Sequence, residues 1–165
     1  MEHSADTPAS TDRLHVVIAG HVIEHMRDPI EFFGEAVRVL KPGGTLYLEA
    51  PSERSMMLPG MWFAFDESRS LSFWDDPTHL GRPWPPQALY RLAKCYGCEP
   101  VAAGYHTSLA AKLKALVKVP LGLVLKKPDW VETGIWNFTG WASYALVRKP
   151  IDGRGRPSFR YYMRP

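Results

Sequence analysis

Cysteine is scarce in this 165-residue chain, which holds only Cys95 and Cys98, and that excludes a disulfide-stapled secreted scaffold. No apolar run approaches the roughly 18 residues that a membrane-spanning helix requires. Met1 to Arg13 is polar and acidic, without the apolar stretch of a secretory leader. These absences point to a cytoplasmic protein. Charge of one sign is also missing: Lys and Arg exceed Asp and Glu by only 3, too little to imply nucleic acid as a partner. There is no internal repeat, so a solenoid is excluded. The 45% hydrophobic content fits a single domain with a modest core.

The chain is organised around His15 to Pro51. His15-Val16-Val17-Ile18-Ala19, ending at Gly20, has the apolar, β-branched character of a strand buried on both faces of a parallel sheet. Asp28 ahead of Pro29 is an N-cap followed by proline at the first helical position, with Glu31 adding negative charge to the first turn. Ile30, Phe33, Val37 and Leu40, flanked by Phe32 and Ala36, keep helical spacing, while Glu31, Glu35 and Arg38 fall on the wet side. Lys41-Pro42-Gly43-Gly44 turns the chain into a second strand, Thr45 to Ala50, completing a βαβ unit with a right-handed crossover.

The runs Ala19-Gly20-His21-Val22-Ile23-Glu24-His25, Asp28-Pro29 and Arg38-Val39-Leu40-Lys41-Pro42-Gly43-Gly44 resemble the second half of the class I S-adenosylmethionine-dependent methyltransferases, in the broad group acting on small molecules, lipids and sugars. The resemblance extends from about Leu14 to Pro150. It implies a partial Rossmann-like α/β sheet, mostly parallel, whose last strand, Ala142 to Val147, runs antiparallel inside the sheet. It also implies S-adenosylmethionine as cofactor, held in part by the backbone of Ala19, Gly20 and His21. The family's opening strand and G-x-G-x-G turn have no counterpart before Leu14, so the sequence reads as a C-terminal half-domain. Gly153-Arg154-Gly155 does not replace that turn, because no helix follows it to receive an anion. The edge of the His15 to Ala19 strand, central in a complete sheet, is then expected to pair with a second copy or with a separate N-terminal half. A non-catalytic dimerising or regulatory remnant is the alternative to an enzyme.

The expected organisation is a disordered segment 1–13, the methyltransferase-like region 14–150 with a lid insertion over about 52–85, and a basic tail 151–165. The lid carries many aromatics and methionines, which either roof a substrate site or cover the sheet edge. Within it, His79 of Asp75-Asp76-Pro77-Thr78-His79 is a candidate general base, its unperturbed pKa lying near neutrality. The alternative is that Asp76 and His79 tie the lid together. His25 is the second candidate catalytic residue. His21, Glu24 and His25, at i, i+3 and i+4, would share a helical face. As His/Glu/His they form a possible divalent-metal set, although a structural or substrate-facing role is preferred.

Cys95-Tyr96-Gly97-Cys98 reads as ordinary packing at a helix end, with Gly97 the left-handed stop, because the redox arrangement places such a pair at a helix start. Leu109 to Leu125 is apolar and lysine-bearing, broken in two by Pro120, and reads as a solvated helix covering a sheet or a neighbouring chain, with peripheral membrane contact as the alternative. The tail, with Arg154, Arg156, Arg160 and Arg164 among Phe159, Tyr161 and Tyr162, reads as solvated rather than as a binder of single-stranded nucleic acid. A small-molecule, lipid or sugar acceptor is the expected substrate.

Overall fold

Asp28 opens the first helix as its place ahead of proline predicts. In the computed structural model its Oδ1 accepts the backbone N–H groups of Ile30 and Glu31 at 3.0 and 2.8 Å. The structure describes residues 13–60 and 70–151. Of the expected disordered segment 1–13 and basic tail 151–165, all but Arg13 and Ile151 lie outside the described residues, as does the centre of the lid.

The elements in order are β1 (Leu14–Gly20), a 3-10 turn (Ile23–His25), α1 (Pro29–Val39), β2 (Leu40–Pro51), two further 3-10 turns (Glu53–Met57 and Phe73–Asp75), α2 (Pro86–Cys95), β3 (Glu99–Tyr105), α3 (Leu109–Val124), α4 (Pro128–Thr139) and β4 (Ala142–Arg148). The sheet order is β1-β2-β4-β3. β1 and β2 are parallel, and β4 lies antiparallel between β2 and β3. This is the partial Rossmann-like sheet that the resemblance implies, with the antiparallel strand inside it.

Side chains alternate across the sheet, and one face carries the core. Val17 and Ala19 of β1, Leu46, Leu48 and Ala50 of β2, and Ala145 and Val147 of β4 pack against Phe33, Ala36 and Val37 of α1 and against Leu89, Leu92 and Ala93 of α2. Gly97, at φ +68°, stops α2 in the left-handed conformation, and the Cys98 N–H donates to the Ala93 carbonyl at 2.9 Å.

Three sequence expectations need correction. β1 is not buried on both faces: Val16 is 56% and Ile18 73% exposed. α1 and α2 both pack on the opposite face, and β1 is an edge strand among the described residues. The Lys41-Pro42-Gly43-Gly44 segment does not separate α1 from β2 as a plain turn. Strand pairing already begins at Leu40, opposite Leu14, and the register slips before Val16 meets Thr45, with Gly43 at φ +78° absorbing the irregularity.

The third correction concerns Pro120, which does not break the Leu109–Val124 segment, since α3 runs straight through it. Close packing against α4 compensates for the lost hydrogen bond. A Cβ added at Gly122 would meet Trp130 Cβ at 2.9 Å, and one at Gly134 would meet Val119 Cγ2 at 2.6 Å. The two helices therefore touch backbone to side chain, and Lys118 Nζ donates to Thr133 Oγ1 across them at 2.7 Å. No helix among the described residues is long and apolar enough to cross a membrane.

Candidate active site

Open α/β sheets bind ligands outside the carboxyl ends of their parallel strands, and β1 delivers Gly20 and His21 there. Gly20 faces open space: a Cβ added to it has no neighbour within 4 Å. His21 takes a positive φ of 54°, uncommon for a residue other than glycine, and its N–H donates to the Glu49 carbonyl at 2.9 Å. This bend turns the imidazole between two acids, with Nδ1 3.2 Å from Glu24 Oε1 and Nε2 3.4 Å from Glu49 Oε1. The hydrogen bond to Glu24 holds the His21 pKa above its ordinary value, opposed by burial and aided by the charges of Glu24 and Glu49. The ring also lies 5.6 Å from Trp141.

His21 borders a cavity of about 160 Å³ completed by Glu49 near the end of β2, His106 after β3, Trp136 and Asn137 of α4, and Ala142 at the start of β4. Trp136 stacks on Trp141 with centroids 4.3 Å apart, and its Nε1 is buried without a hydrogen-bond partner. A cavity lined by the His21 imidazole, the Glu49 carboxyl group and Trp136, whose indole donor is unused, suits a small polar group of a ligand.

Glu49, His106, Trp136 and Asn137 were not legible as site residues in the sequence. Glu49 carries the one available signal, an acid closing an otherwise apolar strand, Thr45-Leu46-Tyr47-Leu48-Glu49. The others come from elements whose position depends on how β4 threads the sheet.

His21, Glu24 and His25 do not share a helical face. Only Ile23–His25 forms a 3-10 turn, and His21 stands outside it in the left-handed conformation. His25 instead meets His79, with ring centroids 4.9 Å apart. His79 Nδ1 donates to the Phe73 carbonyl at 2.7 Å, its ring stacks on Phe73 at 4.4 Å, and Asp76 Oδ2 lies 3.7 Å from its Nε2. The structure thus makes two groupings: His21 with Glu24, Glu49 and the cavity, and His25 with His79 beside Glu24.

A family model described as a methyltransferase domain matches residues 1–103. The chain belongs to the class I S-adenosylmethionine-dependent methyltransferase family. Among solved structures, a chain of the complex between the Haloferax volcanii Trm112 methyltransferase activator and its methyltransferase is similar, with 17% identity, a TM-score of 0.58, and coverage of 88% of this chain and 58% of that one. The cyclase SpnF is similar at 19% identity and a TM-score of 0.51, covering 88% and 54%. At such identities the likeness is one of fold. This methyltransferase-family chain therefore spans little more than half the length of these two structures. No curated protein matches it.

The Cys95/Cys98 pair belongs to the core and not to this site. Both thiols are free and buried, and burial pushes Cys98 up to about 11 and Cys95 upward as well. Because the folded pKa of Cys98 is raised, its contribution to stability is complete below about pH 8.5, the ordinary thiol value, and is lost as pH rises toward about 11. At pH 8 the native chain is expected to alkylate at Cys98 about 100-fold more slowly than an unhindered thiol, since only the thiolate reacts. Iodoacetamide labelling followed by peptide mass spectrometry, with and without denaturant, checks this. Labelling of native Cys98 at the model-thiol rate would refute its burial.

Proposed function

We propose that this chain supplies the acceptor side, and part of the cofactor side, of an S-adenosylmethionine-dependent methyltransferase. The observation that carries the reading is the open space at Gly20 beside the left-handed His21, at the mouth of the cavity lined by Glu49, His106 and Trp136. An uncluttered glycine lets a ligand approach the backbone closely, and the Ala19-Gly20-His21 segment fits the methionine part of the cofactor without displacing a side chain. When bound, that cofactor supplies an electrophilic methyl group on a sulfonium. Positioning is then the main task left to the protein. His21 and Glu49 orient a hydroxyl or amine of the acceptor, and Glu49 or His106 takes its proton. His79, suggested by the sequence as the base, is occupied at Nδ1 by the Phe73 carbonyl.

The outer edge of β1 has no partner strand among the described residues. We assign this edge to the remainder of the sheet, supplied by another segment or polypeptide or by a second copy of the chain. The acceptor is proposed to be lipid-like, because α4 lines the cavity with Thr133, Trp136 and Asn137 while its partner α3 presents an apolar, lysine-flanked stripe to solvent. That stripe is proposed to rest on an anionic membrane surface.

Calorimetric titration with S-adenosylhomocysteine tests the cofactor reading. Binding with a Kd of about 100 μM or tighter, roughly −5.5 kcal/mol, is expected. Gly20→Val is expected to weaken it at least about 10-fold while leaving the melting temperature unchanged, because the added Cβ meets nothing in the folded chain. A folded chain that binds no cofactor would support the non-catalytic reading instead.

A further inference from the structure

The geometry points to a divalent transition-metal site formed by Glu24, His25 and His79. One ring nitrogen of each histidine and one carboxylate oxygen of Glu24 lie within 4.8 Å of one another. Two imidazoles and one carboxylate are a recognised donor set for zinc, manganese or ferrous iron, and a poor one for magnesium or calcium, which take oxygen. The site does not depend on the methyl-transfer reading.

The orientation of the rings carries the argument. A metal-bound histidine donates its second ring N–H to a carbonyl or carboxylate, which fixes the tautomer and aims the other nitrogen. Both histidines are held in this way. His25 Nδ1 faces the Thr78 carbonyl at 3.1 Å, and His79 Nδ1 faces the Phe73 carbonyl at 2.7 Å. A hydrogen on Nδ1 leaves Nε2 of each ring with a lone pair and no donor. Asp76 Oδ2 stands 3.7 Å from His79 Nε2, too far for a hydrogen bond.

Glu24 supplies the second, independent observation. It is 1% exposed, its Oε1 is satisfied by His21, and its Oε2 is buried with no partner. A carboxyl oxygen buried without a partner is costly, and a cation shared with the two imidazoles removes that cost. The two halves of the site are fastened together, since the Leu80 N–H donates to the Glu24 carbonyl at 3.0 Å. Ligands about 2.1 Å from zinc stand about 3.4 Å apart in a tetrahedron, so closure needs only a small rotation of side chains. His25 is half-buried while the His79 side chain is 6% exposed, so the His25 side of the group is the one nearest to solvent. Through Glu24, which touches His21, the ion would brace the imidazole that borders the cavity.

The test uses the untagged chain, stripped with chelator and titrated with Zn²⁺ by calorimetry and with Co²⁺ by visible absorption. One equivalent is expected to bind, with a cobalt d–d spectrum of mixed nitrogen and oxygen ligation. His25→Ala and His79→Gln are each expected to weaken binding by at least the 10- to 100-fold typical of losing even an outer-shell partner. His15→Ala, an exposed histidine outside the group, should leave it unchanged. Circular dichroism without metal identifies a variant that fails to fold; His25, at the end of a three-residue turn, is the safer of the two. Absence of stoichiometric binding by the folded wild-type chain, or wild-type affinity in a folded His25→Ala, would overturn the proposal.

Discussion

Replacing Trp84 with alanine is expected to lower the free energy of unfolding by about 3–5 kcal/mol, the range for deleting a buried aromatic side chain. Trp84 lies in the segment read from the sequence as a lid, yet it is 2% exposed and part of the core cluster. Its backbone joins three parts of the molecule: its N–H donates to the Pro51 carbonyl at 2.8 Å at the end of β2, and its carbonyl accepts from the Ser143 hydroxyl of β4. The Arg82 guanidinium lies 5.0 Å from its ring. Deleting the indole empties the space between the sheet and the end of the insertion, and the strands around it cannot collapse inward without breaking their ladder. Domains of this size hold about 5–15 kcal/mol in total, so the variant should sit near the edge of folding. Trp74, 64% exposed in the same segment, provides the contrast, and its alanine variant should stay within about 0.5 kcal/mol of wild type. Urea denaturation followed by circular dichroism measures both. A Trp84→Ala loss below about 1 kcal/mol would mean that the residue roofs a site and does not hold the core.

That contrast shows where the sequence was legible. Local signals carried: the Asp28 cap, the Gly97 stop and the apolar spacing of α1 each depend on residues within one or two turns, and the structure reproduces them. The antiparallel place of β4 inside the sheet was not in any local pattern and was reached only through the family resemblance, and the order β1-β2-β4-β3 comes from the structure. What stayed hidden was set by contacts between distant segments. His25 meets His79 where the Leu80 N–H finds the Glu24 carbonyl and His25 Nδ1 meets Thr78, contacts between distant segments that the spacing within His21–His25 could not show. Pro120 was misleading for a related reason, since propensity ends a helix there whereas close contacts between α3 and α4, at Gly122 of one and Gly134 of the other, continue it. The exposed face of β1 follows from what the described chain places beside the strand, which its own apolar composition does not reveal.

The double variant Val117→Glu/Val124→Glu is expected to reduce binding to anionic vesicles by at least about 10-fold, with little change in melting temperature. α3 is oriented opposite to an ordinary surface helix. Leu109, Leu113, Leu116 with the adjacent Val117, Leu121 and Val124 follow helical spacing and all face solvent, Val117 at 68% and Val124 at 78% exposure. Only Ala115 and Gly122 of the helix are buried. Contiguous apolar patches of this kind mark interaction sites. The charges nearby select the occupant: Lys112, Lys114, Lys118, Lys126 and Lys127 lie along the segment, with no acidic residue between Glu99 and Asp129. Each lysine near an anionic lipid surface contributes about 1 kcal/mol, and the apolar stripe adds burial at the boundary between headgroups and acyl chains. Cosedimentation with vesicles of phosphatidylglycerol and phosphatidylcholine should therefore capture the wild-type chain. Vesicles of phosphatidylcholine alone should retain much less, and about 0.5 M salt should release it by screening the lysines. Two new carboxylates on the stripe must be desolvated to enter that boundary and are repelled by the lipid charge, so both contributions fall together. If the wild-type chain ignores vesicles but elutes as a dimer that the variant converts to monomer, the stripe is covered by a second copy and the lipid-surface reading fails. If it binds neutral and anionic vesicles equally at all salt concentrations, the lysines have no part in the docking and the charge argument fails.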